Sequence, residues 1–265
     1  MKEKISITID RGVLNRLDGI VDNVYIRNRS QAIEHVITTA IGEQRDAVIL
    51  CGGKEDNWGI GAGMYRMTAI VGKESVIERA VKKLRENGFR RIFFVARHKI
   101  LTKIFEILKD GSDYAVSIQY VEEKAGQGTA DSLRIVKGML SSAFLVVYGD
   151  IIFDDISIES LWAAHLRNRS VATLMLTTSN KPSIKGTAKV EGNKVLEFIQ
   201  KPKESDVYLV FSPIFAVEPE IFNYAGHVLE TDVFPVLATR GLLAGHLSSE
   251  KEFHIHSLRD AKRAE

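Results

Sequence analysis

Small and charged residues follow apolar stretches in the second part of the chain, in positions suited to phosphate chemistry. Glycines allow the backbone to approach a ligand closely, and the first turn of a helix attracts anions. A carboxylate can bind Mg²⁺ together with substrate phosphates, and a lysine can pair with a phosphate directly. The residues with these properties are Gly52, Gly53, Gly128, Thr129, Asp150 and Lys201. Their types predict a site for a phosphorylated ligand.

These residues need a frame that brings distant parts of the chain together, and the sequence predicts one. Apolar stretches, beginning with residues 46–51 and 90–96, alternate with helical patterns, one of which covers residues 128–140. This alternation is typical of a buried, mostly parallel sheet with right-handed helical crossovers. Ligands bind beyond the carboxyl ends of the strands in such sheets, which is where the candidate residues fall. After about residue 171 the pattern becomes antiparallel, with a hairpin turn predicted at Gly192 and Asn193.

The order of these motifs resembles the sugar-phosphate nucleotidylyltransferases of the glucose-1-phosphate thymidylyl- and uridylyltransferase type. The resemblance runs from about Asp46 to Glu265 and includes GQGTADSL, YGDIIF, GTAKVEGNKVLEFIQKPKE and TDVFPVLATRGLLAG. It implies a Rossmann-like, GT-A-like α/β domain over residues 46–265, with a mostly parallel mixed sheet. It also implies that a sugar-1-phosphate is joined to a nucleoside triphosphate with release of pyrophosphate, and that Mg²⁺ is the cofactor.

The same resemblance gives the site residues separate roles. These are nucleotide binding at Leu50, Gly52, Gly53, Gly128 and Thr129, metal binding at Asp150, and sugar-phosphate binding at Gly186 and Lys201. All of these roles are expectations, and the structure shows where each residue lies.

The loop after the first strand departs from the family pattern. The family has a lysine seven residues before Gly72, and that position is Tyr65 here. Arg66 beside it is the candidate for the same nucleotide-binding and catalytic role, although arginine and lysine are not interchangeable at a phosphate. The loop also contains Trp58, which would either stack on a base or fill the site.

Other positions near the expected site have changed as well. The second metal carboxylate of the family falls at Ile255, or at His254 or His256 on a shifted alignment. The two histidines would bind a softer metal or form a polar strand face. Gln200 and Phe211 replace a glutamate and a sugar-binding asparagine. Loss of the second metal carboxylate weakens charge neutralisation where catalysis depends on it, so we expect little catalysis.

The first 42 residues have a different pattern, namely one strand and two helices. Ile5, Ile7 and Ile9 alternate with polar residues in KISITID, and Ser30 is the predicted N-cap of the second helix. Such a small unit has little core, and a single strand has two unpaired edges. We therefore expect a homodimer, or a higher even-numbered oligomer, in which two strands pair.

This strand–helix–RNRS–helix order resembles the ribbon-helix-helix family of DNA-binding repressors, and it assigns residues 1–43 to such a domain. The resemblance implies that a paired ribbon reads double-stranded DNA and that the start of the second helix holds phosphate. The residues expected to contact DNA are Lys4, Ser6, Thr8, Arg27, Arg29 and Ser30. The alternative is a small arm that only drives oligomerisation.

Composition limits these hypotheses. The chain has 265 residues and a net charge of +2, so any DNA binding must come from a local arrangement. One cysteine excludes an intrachain disulfide and fits a reducing compartment, and no apolar run approaches a membrane span. We expect a cytoplasmic protein.

Three functions remain open. The first is a DNA-binding regulator whose large domain senses a nucleotide or sugar nucleotide with little catalysis. The second is an active Mg²⁺-dependent sugar-1-phosphate nucleotidylyltransferase that also binds DNA. The third is a structural or oligomerisation protein. Because the DNA-binding pattern is intact and the catalytic one is altered, the sequence favours the first.

Overall fold

The computed structural model describes residues 6–21, 26–33, 36, 45–53, 55–61 and 63–264. The chain divides into two units, Met1–Gln44 and Arg45–Glu265.

In the first unit, helix α1 (Arg11–Asp18) begins after Asp10, whose carboxylate accepts hydrogen bonds from Gly12 N at 2.8 Å and Val13 N at 3.3 Å. Such a cap satisfies backbone donors that the first turn leaves free. The helix ends at Asp18, whereas the helical spacing of apolar residues in the sequence continues through Ile20 to Val21. No strand is assigned to residues 6–10, where one was predicted, because a strand requires a paired neighbour.

The second helical segment covers residues 29–33. Its cap is Asn28 rather than the predicted Ser30, since Asn28 Oδ1 accepts from Gln31 N at 3.0 Å. Arg29 donates to both carboxylate oxygens of Asp18 at 2.6 and 2.8 Å, and Arg27 N donates to Gln31 Oε1 at 2.7 Å. Lys4 lies outside the described residues, as do Ile37, Ala40 and Ile41, three apolar residues whose spacing predicts that the second helix continues.

The second unit contains most of the secondary structure. Its strands are β1 (Arg45–Cys51), β2 (Gly59–Gly61), β3 (Met64–Tyr65), β4 (Ile70–Val71), β5 (Glu74–Ser75), β6 (Phe89–Ala96), β7 (Ser117–Glu122), β8 (Phe144–Tyr148), β9 (Ile151–Ile152), β10 (Ala172–Thr178), β11 (Gly186–Glu191), β12 (Lys194–Gln200), β13 (Leu209–Val217), β14 (Leu243–Leu247) and β15 (Phe253–His254). Its α-helices are α2 (Val76–Glu86), α3 (His98–Leu108), α4 (Thr129–Arg134), α5 (Ile158–Asn168), α6 (Phe234–Thr239) and α7 (Leu258–Arg263). Short 3₁₀ turns include Glu55–Asn57 and Arg66–Thr68, and Leu229–Val233 is π-helical.

Nine strands form one sheet in the order β10-β14-β12-β11-β13-β8-β1-β6-β7. Strands β8, β1, β6 and β7 are parallel neighbours. Along β1, Ala47, Ile49 and Cys51 pack in one core and Val48 and Leu50 in the other. The sheet is therefore buried on both faces, which explains why its strands read as continuous apolar runs.

The other half of the sheet confirms the predicted change to an antiparallel pattern after about residue 171, and it has too many antiparallel pairs for the sheet to be mostly parallel. Strand β13 runs antiparallel to β8, β10 and β11, so the sheet is mixed. The hairpin prediction is confirmed: β11 and β12 are antiparallel, Gly192 and Asn193 connect them, and Gly192 has a φ of 61°. The helix predicted over residues 128–140 ends at Arg134, and Gly138, with a φ of 87°, lies in the turn that follows.

Two short strands bring the C-terminal part of the chain to the edge of this sheet. Strand β15 pairs antiparallel with β9, and Ile255 N donates to the backbone oxygen of Asp150 at 2.8 Å. His254 and His256 are thereby placed beside Asp150. None of the described helices is long and apolar enough to cross a membrane.

Candidate functional site

The carboxyl ends of the parallel strands β1, β7 and β8 surround a cavity of about 690 Å³. Among the described residues its lining is uncharged and consists of Leu50, Gly52, Gly53, Asn57, Trp58, Gly126, Gln127, Gly128, Thr129, Ser132 and Tyr148. We call it the first cavity. It contains all the residues predicted to bind nucleotide except Arg66.

Glycine is required at two positions of this cavity because other side chains lie close behind the backbone. A Cβ atom at Gly52 would overlap Ser132 Oγ and lie 3.0 Å from both carboxylate oxygens of Glu123. A Cβ atom at Gly128 would lie 2.5 Å from the backbone oxygen of His227. Glu123 is fully buried, and its carboxylate accepts from Gly53 N and Ser132 Oγ, both at 2.5 Å. The buried Glu123 carboxylate thus fixes the loop at Gly52 and Gly53, and these two residues present backbone rather than side chains to the cavity.

Trp58 forms part of the wall of the first cavity and leaves its volume open. Its Nε1–H donates to the backbone oxygen of Gly52 at 2.8 Å, and its own backbone oxygen accepts from Arg66 N at 2.9 Å. Trp58 therefore connects the glycine loop to Arg66. The indole lines the first cavity, so a planar ligand group bound there would contact it.

A second cavity of about 340 Å³ shares Tyr148 with the first. Its lining is strongly polar and includes Asp150, Lys185, Gly186, Gln200, Lys201, Glu230, His254 and His256, with Ile184, Phe211 and Pro213 as apolar wall. The predicted metal residue Asp150 and the predicted sugar-phosphate residues Gly186 and Lys201 are thus brought together. Residues more than fifty positions apart meet here because β8, β11 and β13 belong to the same sheet.

Glu230 connects the two cavities, and the sequence reasoning did not identify it. Its carboxylate is buried and accepts from Thr129 Oγ1 at 2.7 Å and from Tyr148 Oη at 2.6 Å. Burial, and then the adjacent Glu230 carboxylate, raise the pKa of Tyr148 well above its usual value, so the phenol stays a donor. The available signal was a pair of acids, Glu230 and Asp232, within the otherwise mostly apolar segment HVLETDVFPVL.

Asp150 is held by Arg66. Arg66 Nη1 lies 3.0 Å from Asp150 Oδ2, and His256 Nδ1 lies 4.0 Å from the same oxygen. Tyr65, which occupies the family's lysine position, donates its hydroxyl to Glu55 at 2.8 Å instead. Arg66 is therefore the cation that reaches the carboxylate.

The neighbouring histidine has a different partner. Glu252, whose side chain is fully buried, forms an ion pair with Lys185 and lies 3.0 Å from His254 Nε2. Burial raises the pKa of Glu252, but the hydrogen bond with His254 and the charge of Lys185 outweigh burial and lower this pKa to about 2. The rings of His254 and His256 stack at 5.5 Å. Burial, chiefly, lowers the pKa of His256, with Arg66 and His254 acting in the same direction against Asp150.

This donor set does not fit a Mg²⁺ site. Mg²⁺ prefers oxygen ligands, usually one or two carboxylates plus substrate phosphates. Here Asp150 is engaged by a guanidinium, Glu252 by a lysine and Glu230 by two hydroxyl groups. The second carboxylate was expected at Ile255, which is buried, or on a shifted alignment at His254 or His256, so no carboxylate stands at any of the three positions. No three potential metal-ligating side chains converge within the part of the chain that the structure describes.

Comparison with known proteins identifies the class. Residues 46–250 match the nucleotidyl transferase family, and the chain belongs to this family. The match includes every lining residue of the first cavity and all those of the second except His254 and His256.

Individual relatives agree with this assignment. The chain is 27% identical over 188 residues to the bifunctional protein GlmU of Methanococcus aeolicus, a match that covers 70% of the chain and 42% of the relative. It is 30% identical over 156 residues to the low-salt glycan biosynthesis nucleotidyltransferase Agl11 of Haloferax volcanii, which covers 58% and 43%. The chain thus spans about half the length of the curated relatives it matches.

A solved structure shows the same fold. A putative glucose-1-phosphate thymidylyltransferase from Bacillus anthracis, crystallised with a sucrose, superimposes with a TM-score of 0.75 at 23% identity, covering 83% of this chain and 93% of that one. The mixed α/β nucleotidyltransferase fold is therefore confirmed for the second unit.

Proposed function

We propose that this protein is a sugar-1-phosphate nucleotidylyltransferase. The observation that carries the proposal is the pair of cavities that meet at Tyr148, one lined by uncharged side chains among the described residues and the other by several charged ones. This pair favours the transferase over a sensor of a nucleotide alone, which needs no second cavity for a sugar phosphate. A sensor of a sugar nucleotide would use both cavities, and release of pyrophosphate distinguishes the transferase from it.

The first cavity suits the nucleoside. Close backbone approach at Gly52 and Gly128 leaves peptide groups available to a base and ribose, and Trp58 offers a ring face. The described part of the lining offers shape and hydrogen-bonding groups for recognition.

The second cavity suits the sugar phosphate. Lys201 lines it, and no acidic partner contacts this lysine within the described residues, so it can meet a phosphate. The Glu230 carboxylate has acceptor positions beyond the two used by Thr129 and Tyr148, which sugar hydroxyls can fill.

The reaction needs little covalent chemistry from the protein. An oxygen of the sugar phosphate attacks the α-phosphorus of the triphosphate in line, a new P–O bond forms, and the bond to pyrophosphate breaks. The attacking oxygen is already ionised, so no general base is required. The side chains position the two substrates and neutralise charge, which are the main contributions in phosphoryl transfer.

The test is a matrix of five nucleoside triphosphates against a panel of sugar-1-phosphates, with pyrophosphate release as the readout. We expect at least one pair to react, and Lys201→Ala to raise the KM for the sugar phosphate. The control is Lys203→Ala, two residues away and exposed. Absence of pyrophosphate release for every pair, with a folded protein, would refute the proposal.

A second proposed function is DNA binding by a dimeric arm formed by residues 1–43. It is favoured by the division of the chain near Gln44 and by the exposure of Ser6 and Thr8. Binding to a random duplex library should select a sequence, and Lys4→Ala in the full chain should weaken binding and reduce its salt dependence. If no duplex is retained and the arm still dimerises, it serves oligomerisation alone.

A further inference from the structure

The ion pair between Arg66 and Asp150 stands between the two cavities. Trp58, which lines the first cavity, lies with its ring 5.9 Å from the Arg66 guanidinium, and Asp150 lines the second cavity. Three quarters of the Arg66 side chain and most of the Asp150 side chain are shielded from solvent. The guanidinium therefore occupies the place where groups from the two substrates would approach each other.

Arg66 is fixed in this position from two sides. Its backbone N–H donates to the backbone oxygen of Trp58 at 2.9 Å, and the indole Nε1–H of Trp58 is anchored on Gly52. Its Nη1 is held by Asp150 at 3.0 Å. A cation held in this way needs little reorganisation when a ligand arrives.

The guanidinium still has donors to offer. Arginine carries five N–H donors in a planar fork, and only Nη1 is engaged by Asp150. Arg66 Nε is buried and has no hydrogen-bond partner among the described residues. A buried donor without an acceptor is costly, and a phosphate oxygen would satisfy it.

We propose that Arg66 acts as the resident cation of this site, in the place of a divalent metal ion, so that nucleoside polyphosphates bind without one. This inference rests on the proposed function and names the charge that the reaction uses. It follows from the donor set: Asp150 is neutralised by a guanidinium, and none of the three positions considered for a second carboxylate, His254, Ile255 and His256, carries one. A guanidinium binds phosphate through two parallel hydrogen bonds, so it can replace part of the metal's role in orientation as well as in charge.

The substitution Asp150→Asn separates the two roles that Asp150 could have. If Asp150 were a metal ligand, loss of its charge would weaken polyphosphate binding. If it is the partner of Arg66, the amide removes a negative charge near the phosphates, and affinity in EDTA should rise about fivefold, which corresponds to about 1 kcal/mol of removed repulsion.

The closing experiment measures the affinity of UTP, CTP, GTP, ATP, dTTP and inorganic pyrophosphate by calorimetry, in EDTA and in excess Mg²⁺. For the wild type, we expect the Kd of the tightest ligand to agree between the two conditions within about twofold. Arg66→Ala should weaken binding in EDTA by about 10- to 100-fold, and Arg66→Lys should restore only part of it. The matched control is Arg79→Ala, which removes a partly exposed arginine from its ion pair with Asp154 outside both cavities.

Each outcome bears on one of the two proposals. Binding in Mg²⁺ but not in EDTA, or a gain of more than about tenfold on adding Mg²⁺, overturns the inference and leaves the transferase standing. Binding in EDTA without pyrophosphate release for any substrate pair supports the inference and refutes the transferase. If no phosphate ligand binds in either condition, both are wrong. Loss of binding in Asp150→Asn, with the fold intact by circular dichroism, also overturns the inference.

Discussion

The buried carboxylate of Glu252 gives the sharpest stability prediction. Glu252→Gln keeps the size of the side chain but replaces a charge held by Lys185 and His254 with a neutral amide. Lys185 would then be left with no acidic partner in the wall of the second cavity. We expect the variant to fold and to be less stable than the wild type.

The magnitude follows from the pKa of Glu252, which falls from its usual 4.5 to about 2 in the folded protein. This difference corresponds to about 3 kcal/mol of stabilisation of the ionised form on folding. Because the pKa is lower in the folded state than in the unfolded state, the contribution is complete above about pH 4.5 and is lost as the pH falls toward 2. The destabilisation by Glu252→Gln should be about 3 kcal/mol near pH 7 and about 1.4 kcal/mol near pH 3.

The assay is urea unfolding followed by tryptophan fluorescence, for both proteins at several pH values. Glu250→Gln is the matched control, since Glu250 is an exposed glutamate two residues away. Its substitution should change the free energy of unfolding by less than about 0.5 kcal/mol.

Two results would refute the reasoning. One is a destabilisation by Glu252→Gln that does not decrease between pH 7 and pH 3. The other is a loss below about 0.5 kcal/mol near pH 7, which would mean that the interactions with Lys185 and His254 do no more than offset the cost of burial.

Three further predictions concern the first cavity and its supporting strand. Gly52→Ala should weaken nucleotide binding, measured by calorimetry, at least about tenfold. Gly59→Ala is the control and should leave binding unchanged, because the atom nearest to its added Cβ lies at 3.9 Å. Equal effects of the two variants would contradict the packing argument. Nucleotide binding should change the fluorescence of wild type but not of Trp58→Phe, because the remaining Trp162 is buried away from both cavities; a persistent signal in the variant would place the ligand elsewhere. Because burial raises the pKa of Cys51, the thiol should react with Ellman's reagent only after unfolding in urea, and rapid reaction of the native protein would show that β1 opens.

Local patterns in the sequence were sufficient for much of the large domain. The alternation of apolar and helical stretches predicted the parallel strands, and Gly192–Asn193 was correctly placed as a hairpin turn. The family order of motifs named residues that the structure groups, Leu50, Gly52, Gly53, Gly128 and Thr129 in the first cavity and Asp150, Gly186 and Lys201 in the second. It could do so because it fixes which residues follow which strand, and the roles of these residues stay predictions. The length of α4 and the cap of the second helical segment were wrong, since propensity alone does not reveal where a side chain such as Asn28 finds a better hydrogen bond.

The preference for a regulator with little catalysis came from counting changed positions in the chain. In the structure Arg66, one residue beyond the family's lysine position, forms an ion pair with Asp150, whereas Tyr65 donates a hydrogen bond to Glu55. A substitution that looks like a loss in the sequence can be a replacement when a neighbouring residue reaches the same atom. This is why the membership of the nucleotidyl transferase family now favours a transferase.

The sequence by itself determined most strands and helices of the large domain and the edge of its sheet on which both cavities lie, because the periods of apolar residues and the positions of glycine are local properties. Only the tertiary structure decided which charges neutralise one another. Glu230 meets Thr129 across 101 positions, and Lys185 meets Glu252 across 67. The strength of such pairs depends on distance and burial, and both are fixed only when the sheet brings the strands together.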